Sequence, residues 1–239
     1  GGALSWGKNS KIIYFSAIRA ENRHFTPLNN DVYSLDITQG TITQLTDRNG
    51  PDNNPVVSPD GKSIAYLGFD DKFTNYENAQ LYIMDIDGKN SRLVTQELDR
   101  SISRIAWDKR GNNVYIQYDD QGKTVLALQS VKNGKKRKFL TDKIGGQSYG
   151  RPYTSGEFAA SPQGNVIITT SDPQRPADVG LLDDDEVINL TNLNDDALAH
   201  KTLARVEEIW YKSSADGKDI QGWIAYPPHF DKNKKYPVF

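Results

Sequence analysis

The stretch that decides the fold is Asn54-Pro-Val-Val-Ser-Pro-Asp-Gly-Lys-Ser-Ile-Ala-Tyr-Leu67, which has the pattern of a strand, a tight turn and a second strand. Val56 and Val57 end the first strand. The turn 59–62 contains Asp and Gly, and Gly tolerates positive φ while Asp can bond its own backbone. The apolar run 64–67 is rich in strand formers, so the stretch predicts a β-hairpin.

The same pattern occurs three more times along the chain. The copies are Leu4-Ser-Trp-Gly-Lys-Asn-Ser-Lys-Ile-Ile-Tyr-Phe15, Ile105-Ala-Trp-Asp-Lys-Arg-Gly-Asn-Asn-Val-Tyr-Ile116 and Phe158-Ala-Ala-Ser-Pro-Gln-Gly-Asn-Val-Ile-Ile-Thr169. Aligned on Ser10, Gly61, Gly111 and Gly164, they follow at intervals of 51, 50 and 53 residues. A third strand follows each copy, at 31–36, 80–85, 124–129 and 178–183. A fourth ends each unit in Leu-Thr or Val-Thr, at Thr46, Thr95, Thr141 and Thr191.

Repeats of about 50 residues with four short strands are typical of β-propeller blades. We therefore predict an all-β partial propeller over residues 1–200, with four-stranded blades at about 3–46, 53–95, 101–141 and 155–191. Pro173 and Pro176 of the fourth unit are expected between strands, where proline removes no ladder hydrogen bond. A single blade cannot bury both faces of its sheet, so neighbouring blades must stack. We expect exposed blade faces at the two ends of the array, and these could support an oligomer.

The pattern changes after Thr191. Asn192 to Leu203 is predicted to be a linker with one short helical turn at 195–200. A β-hairpin of strands 206–212 and 220–226 follows, and a further apolar strand begins at 235–239. A strand pattern at each end of the chain leads us to expect a piece of a larger protein.

Composition excludes several classes of function. The chain has 239 residues, a formal net charge of −2 and no cysteine. The charge argues against a nucleic-acid-binding face, and the basic run Lys132 to Lys138 is interpreted as a solvated hairpin tip around Asn133-Gly134, a two-residue turn signal. Without cysteine there is no disulfide or thiolate nucleophile, and no apolar run approaches the ~20 residues of a membrane helix.

One short motif matches a catalytic signature. Gly146-Gln-Ser-Tyr-Gly150 fits G-x-S-x-G, which works as a nucleophile elbow only between a buried strand and a helix. The preceding segment 141–145 is too short and polar for that strand, and Pro152 disfavours helix at Arg151. We therefore interpret Ser148 as a chance match, and no catalytic residue is assigned.

The remaining polar candidates do not form a catalytic or metal-binding pattern. His24, His200 and His229 have no acid or nucleophile at a recognisable spacing, so neither a triad nor a metal site is predicted. The acidic run 183–186 lacks the spacing of a calcium loop and is interpreted as a turn, and the sequon 189–191 lies in a predicted strand.

The long acidic and aromatic loop 69–78 leaves two alternatives open. Asp70, Asp71 or Glu77 could hold the amino group of a ligand, or the loop could be an ordinary solvated connection.

The end of the chain resembles a known junction between two domains. Its elements are Asn189-Leu-Thr191, Val206-Glu-Glu-Ile209, Ser214-Ala-Asp-Gly217, Ile220-Gln-Gly-Trp-Ile224, Tyr226-Pro-Pro228 and Lys234-Lys-Tyr-Pro-Val238. This series is similar to the propeller-to-peptidase junction of the prolyl oligopeptidase family, in its acylaminoacyl-peptidase and dipeptidyl-aminopeptidase-like branch. Residues 201–239 would then be a linker and the first strands of a truncated α/β-hydrolase domain. The blade pattern 58–62 is less specific, because periplasmic TolB-type propellers share it.

The resemblance implies a non-catalytic propeller that admits short peptides to a missing serine peptidase domain. Whether this chain is an enzyme stays open at this point, because the family's nucleophile, aspartate and histidine cannot be mapped onto it. The resemblance implies no cofactor, and its partners would be short peptides and the missing domain. The alternatives are a TolB-like interaction propeller and a propeller with its own hydrolytic or lyase site. The exported relatives of Gram-negative bacteria favour a periplasmic over a cytoplasmic location.

Overall fold

The computed structural model describes residues 3–21, 23–146, 155–184 and 186–238. Almost all of its regular structure is antiparallel β-sheet, in four blades of four strands each and one separate hairpin. Blade 1 consists of β1 Leu4–Trp6, β2 Ile12–Ala17, β3 Asp31–Asp36 and β4 Thr41–Gln44. Blade 2 consists of β5 Asp52–Val57, β6 Ser63–Gly68, β7 Gln80–Asp85 and β8 Arg92–Leu93.

The second half of the chain continues the same order. Blade 3 consists of β9 Ile102–Trp107, β10 Asn113–Asp120, β11 Lys123–Ser130 and β12 Arg137–Ile144. Blade 4 consists of β13 Phe158–Ala160, β14 Val166–Asp172, β15 Arg175–Asp183 and β16 Glu186–Asn189. The pair Ile144–Thr170 also joins β12 to β14, so blades 3 and 4 share one hydrogen-bonded sheet. The predicted propeller architecture with four four-stranded blades is confirmed.

The turn between the first two strands of blade 2 has the predicted geometry. The Gly61 N–H donates to the Ser58 carbonyl at 2.8 Å, and Gly61 has φ +77°. The Asp60 carboxylate accepts from the Lys62 N–H at 3.0 Å. The aligned residues Gly111 and Gly164 have φ +69° and +95°, and Ser10 takes the left-handed conformation in blade 1 at +55°. The turn residues therefore fix the same backbone path in every blade.

The hydrophobic core consists of three layers between neighbouring blades. Ile64 and Met84 of blade 2 are buried against blade 1. Leu81 of the same blade is buried against blade 3, and Leu126 of blade 3 lies in the layer against blade 4. Burial of a side chain of this size contributes about 1.5–3 kcal/mol, so stacking of the blades supplies most of the apolar stabilisation.

The threonine that ends a blade has a structural role. The Thr46 hydroxyl oxygen accepts from the Val32 N–H at the start of the third strand, at 2.9 Å. In blades 2 and 4 the residues Thr95 and Thr191 accept in the same way, also at 2.9 Å. The threonine of the repeated Leu-Thr or Val-Thr pattern thus forms a hydrogen bond that joins the end of the fourth strand to the backbone of the third strand.

Two local predictions were wrong. Asn133-Gly134 does not form a two-residue turn, because β11 and β12 are separated by residues 131–136 and Gly134 is not at positive φ. The backbone of Gly134 lies against the Val94 carbonyl of the preceding blade, and this contact favours a loop longer than two residues. Pro176 was expected between strands but lies inside β15. The pairing of β15 with β14 is irregular at this point, so the missing N–H of proline breaks no ladder hydrogen bond.

The segment after the blades contains a helical turn and a hairpin. The short helix α1 spans Asp195–Leu198, as predicted, and the hairpin pairs β17 Arg205–Lys212 with β18 Asp219–Tyr226. In the described part of the chain no helix has the length and apolar character to cross a membrane.

Candidate functional site

The β17–β18 hairpin docks on one particular side of the propeller, the side that carries the loops between the second and third strands of the blades. The Trp223 indole covers the β10–β11 turn so closely that a Cβ on Gly122 would lie 2.4 Å from a ring carbon. The Gln221 side-chain amide donates to the Gln121 carbonyl at 2.9 Å. We call this side the hairpin face.

Two further contacts attach the hairpin region to blades 3 and 4. The Lys123 ammonium lies 3.3 Å from an Asp142 carboxylate oxygen and 3.6 Å from one of Glu208. The Gln174 side-chain amide donates to the Ala204 carbonyl at 2.8 Å. The hairpin region is therefore held by the Lys123–Glu208 ion pair and by hydrogen bonds to two backbone carbonyls, as well as by the Trp223 contact.

The loop 69–78 connects β6 to β7 and so lies on the same hairpin face. Glu77 organises this loop: one carboxylate oxygen accepts from the Lys72 N–H at 3.1 Å and from the Thr74 N–H at 3.2 Å, and it also accepts from the Thr74 hydroxyl. Hydrogen bonding, chiefly from the Thr74 hydroxyl, lowers the pKa of Glu77. Glu77 is therefore a fixed negative charge at neutral pH.

Asp70 and Asp71, the two other acidic candidates in this loop, have partners within the protein. Asp70 lies 3.5 Å from the Arg48 guanidinium. Asp71 accepts from the N–H of Phe73, at 2.7 Å, and Phe73 has φ +59°. Both carboxylates thus shape the loop. The bonds of Glu77 within the loop go to one of its carboxylate oxygens, so its second oxygen is the acceptor that we assign to a ligand.

A cavity of about 410 Å³ lies against this loop. It is lined by Phe69, Asp70, Lys72, Thr74, Tyr76, Glu77, Asn78, Gln80 and Tyr82. Phe73 and Tyr76 are 87% and 80% exposed at the loop surface. Aromatic surface beside a fixed carboxylate can bind a small cationic group and an apolar side chain.

Arg48 anchors the base of the loop to the connection between blades 1 and 2. Its guanidinium lies over the Tyr82 ring at 4.0 Å and forms an ion pair with the buried carboxylate of Asp52. The pKa of the neighbouring Asp31 is raised to about 6, mainly by burial of its carboxyl group and to a smaller extent by repulsion from Asp52. The residues around Arg48 in the sequence do not indicate this role, because it depends on partners that only the stacked blades bring together.

Among the described residues, the other candidates named from the sequence do not come together in a second site. The G-x-S-x-G match with Ser148 lies outside the described residues. Within the described ranges, no group of three or more His, Asp or Glu side chains could hold a metal ion. The acidic run does form a turn, since β15 ends at Asp183 and pairs with Glu186, the first residue of β16.

The three histidines lie in separate non-strand segments. His24 lies between β2 and β3, His200 follows α1, and His229 follows β18 at φ +59°. The sequon 189–191 begins at Asn189, the last residue of β16, and continues beyond that strand.

The chain is similar to peptidases of known sequence. No family model matches it. Dipeptidyl-peptidase 5 of Porphyromonas gingivalis is 26% identical over 245 residues, which cover 98% of this chain and 33% of the relative. Dipeptidyl-peptidase 5 of Schizosaccharomyces pombe is 24% identical over 245 residues, covering 100% of this chain and 33% of the relative. The chain therefore spans about a third of the length of these curated relatives.

Solved structures share the fold. The acylaminoacyl peptidase of Pyrococcus horikoshii matches with a TM-score of 0.71 and 20% identity, over 98% of this chain and 34% of that one. TolB of Acinetobacter baumannii matches with a TM-score of 0.57 and 18% identity, over 77% of this chain and 41% of that one. The relatives confirm the resemblance that the junction motifs indicated, and the structural neighbours support the propeller fold.

Proposed function

Since the chain resembles the propeller portion of the prolyl oligopeptidase family, we propose that it is the non-catalytic propeller of a serine peptidase. In this proposal it covers the active site of a hydrolase domain and admits short peptides. The observation that carries the proposal is the position of the β17–β18 hairpin, which resembles the first strands of that domain and docks on the hairpin face at Gly122. Loop 69–78 and its cavity lie on the same face.

The geometry also indicates what the propeller would recognise. We propose that Glu77 receives the free amino group of a peptide, while Tyr76 and Tyr82 contact its first side chains. The lowered pKa of Glu77 keeps its carboxylate charged at neutral pH, where a peptide amine is largely protonated, so the pair is attractive over the neutral range. Asp70 and Arg48 hold the base of the loop in place.

A binding experiment on the 239-residue chain tests this proposal. Glycyl-phenylalanine should bind saturably in calorimetry or NMR titration, and N-acetylglycyl-phenylalanine, which lacks the amine, should bind at least ~10-fold more weakly. Glu77→Gln should remove the preference for the free amine. Glu97→Gln is the control, since Glu97 is an exposed carboxylate that lies near Lys135 instead.

Two outcomes would contradict the proposal. Equal affinity for the free and acetylated dipeptides would remove Glu77 from the recognition site. Turnover of aminoacyl or acylaminoacyl chromogenic substrates by this chain alone would show that it is catalytic.

The second candidate is a TolB-like propeller that binds another protein and has no associated hydrolase. The structural likeness to TolB of Acinetobacter baumannii is the observation that supports this second candidate. The dipeptide titration separates the two candidates, because an interaction propeller of this kind has no reason to prefer a free amine at Glu77.

A further inference from the structure

Asp178 of blade 4 has one buried carboxylate oxygen that takes part in no hydrogen bond with the described residues. The residue is 2% exposed, and its other oxygen, Oδ1, accepts from the Thr191 hydroxyl and from the Leu193 N–H, both at 2.8 Å. Donation by the Leu193 N–H, followed by that of the Thr191 hydroxyl, lowers the pKa of Asp178, so the carboxylate is charged at neutral pH. The charged Oδ2 atom therefore favours any small group that can donate to it.

Blade 1 shows how the corresponding oxygen is satisfied within a blade. Asp31 occupies the same position there, and its Oδ2 atom accepts from the Gln44 side-chain amide at 3.0 Å. The same amide nitrogen donates to the Thr46 carbonyl at 2.9 Å. Gln44 is the last residue of β4, and it pairs with Tyr33, two residues after Asp31. In blade 1 the chain itself thus supplies the donor.

Blade 4 has a shorter side chain at the position of Gln44. Asn189 is the last residue of β16 and pairs with Gly180, two residues after Asp178, so Asn189 and Asp178 share one face of the sheet. Asparagine has one methylene group fewer than glutamine, and its amide does not donate to the Asp178 Oδ2 atom. In blade 4 a donor to this oxygen must therefore come from outside the described residues.

A cavity of about 280 Å³ lies at this place, between blades 3 and 4. Both of its walls belong to blades that the chain contains. It is lined by Lys143 of β12 in blade 3 and, in blade 4, by Thr170, Ser171, Asp172, Arg175, Asp178, Val187 and Asn189. The volume is several times the ~30 Å³ that one water molecule occupies, so the cavity can hold a small organic molecule.

The charges that line the cavity indicate the class of this molecule. The Asp178 carboxylate disfavours an anion, and the cationic side chains of Lys143 and Arg175 disfavour a metal ion. Arg175 is already paired with Asp195, so Lys143 is the cation that remains for a ligand. A molecule with both an ammonium group and a carboxylate matches this arrangement, and an α-amino acid is the smallest molecule of that kind.

We propose that the cavity binds a free α-amino acid, with the ammonium group on the Asp178 Oδ2 atom and the carboxylate on the Lys143 ammonium. The ammonium group takes the place that the Gln44 amide has in blade 1. This inference does not depend on the peptide site proposed at Glu77.

The position of the cavity indicates what a bound amino acid does. The cavity lies where the chain leaves blade 4, because Asp178 accepts from the Leu193 N–H and Arg175 is paired with Asp195 of α1. A ligand that fixes the Asp178 side chain also fixes this first part of the linker 192–204. The amino acid would therefore strengthen the attachment of the linker to the propeller.

NMR titration of the 239-residue chain with glycine tests the inference. Glycine should bind saturably with a Kd on the order of 1 mM, and the amides that shift should lie around residues 170–178 and 187–193. N-acetylglycine lacks the ammonium group and should bind at least ~10-fold more weakly. Lys143→Gln should weaken glycine binding about 3-fold, because an exposed ion pair contributes little. Lys132→Gln, at an exposed lysine in the β11–β12 loop, is the matched control.

A second variant fills the site from within the chain. In Asn189→Gln the longer amide should reach Asp178 as Gln44 reaches Asp31, so glycine binding should weaken at least ~10-fold and the unfolding temperature should rise by about 2–4 °C. Gln44→Asn is the converse change in blade 1 and should lower the unfolding temperature. Asn112→Gln, at an exposed asparagine in the β9–β10 turn, is the control and should change neither quantity.

Three outcomes would overturn the proposal. Absence of a saturable glycine shift around residues 170–193 would show that water alone satisfies the Asp178 oxygen. Glycine binding that Asn189→Gln leaves unchanged would place the amino acid elsewhere. Equal affinity for glycine and N-acetylglycine would remove Asp178 from the site.

Discussion

Replacement of Asp31 by Asn should stabilise the protein at neutral pH. The Asp31 carboxylate is buried at the start of β3 and lies near the buried Asp52, and these two causes raise its pKa from 3.8 to about 6. For an acid, a raised pKa in the folded state means that ionisation costs folding free energy. The folded state therefore loses stability as pH rises from about 4 to 6, and the cost is complete above that range.

The size of the effect follows from the same values. A rise in pKa from 3.8 to about 6 corresponds to about 3 kcal/mol at neutral pH. Asp31 accepts from the Gln44 side-chain amide at 3.0 Å and from the Thr46 hydroxyl at 3.4 Å, and Asn can keep only one of these as an acceptor. Loss of one net hydrogen bond costs about 1 kcal/mol, so we expect a gain of about 2 kcal/mol at pH 7.5.

Urea unfolding of both proteins at pH 4 and pH 7.5 measures this difference. The gain of Asp31→Asn should be present at pH 7.5 and vanish near pH 4, where wild-type Asp31 is protonated. Asp178→Asn, at the same position of blade 4, is the opposite control, because donation by the Leu193 N–H and the Thr191 hydroxyl lowers the pKa of Asp178. Asp178→Asn should therefore lower the free energy of unfolding. A loss of stability in Asp31→Asn at pH 7.5, or a gain of equal size at pH 4, would refute the reasoning.

Two further substitutions test the packing of the hairpin and of the blades. Gly122→Ala should displace the Trp223 indole, because Gly122 combines φ +70° with a Cβ position 2.4 Å from the ring. Tryptophan fluorescence should shift to longer wavelength, whereas Gly217→Ala, at the same φ in open space, should leave the emission unchanged. Trp107→Phe should cost about 1–3 kcal/mol of unfolding free energy, because the Val56 carbonyl loses its donor, and unchanged stability would contradict this.

The features that the sequence predicted well are those determined over a few neighbouring residues. The turn at Gly61 and its aligned positions needs positive φ and short polar residues, and both requirements are visible locally. The strand pattern and the closing threonines such as Thr46 recur every 50 residues, which made the propeller recognisable. Each local pattern is weak alone, but its recurrence in four units predicts the propeller architecture.

The features that were missed depend on contacts between blades. Gly134 was interpreted from its own dipeptide, although the Val94 carbonyl of the preceding blade decides its conformation. Arg48 gave no signal, because Asp70 and Tyr82 reach it only after blades 1 and 2 have formed. For loop 69–78 the sequence supplied the correct residue types, but only the structure distinguished Glu77 from its acidic neighbours.

The single backbone pair between Ile144 and Thr170 has a consequence for how the protein opens. Blades in a repeat array contact mainly their neighbours, so such proteins can lose structure in sections. Blades 3 and 4 are joined by main-chain bonds as well as by apolar packing, whereas separate sheets form blades 1 and 2. Amide hydrogens of β10 to β15 should therefore exchange together and more slowly than those of β2 and β3, because blades 3 and 4 would open as one section.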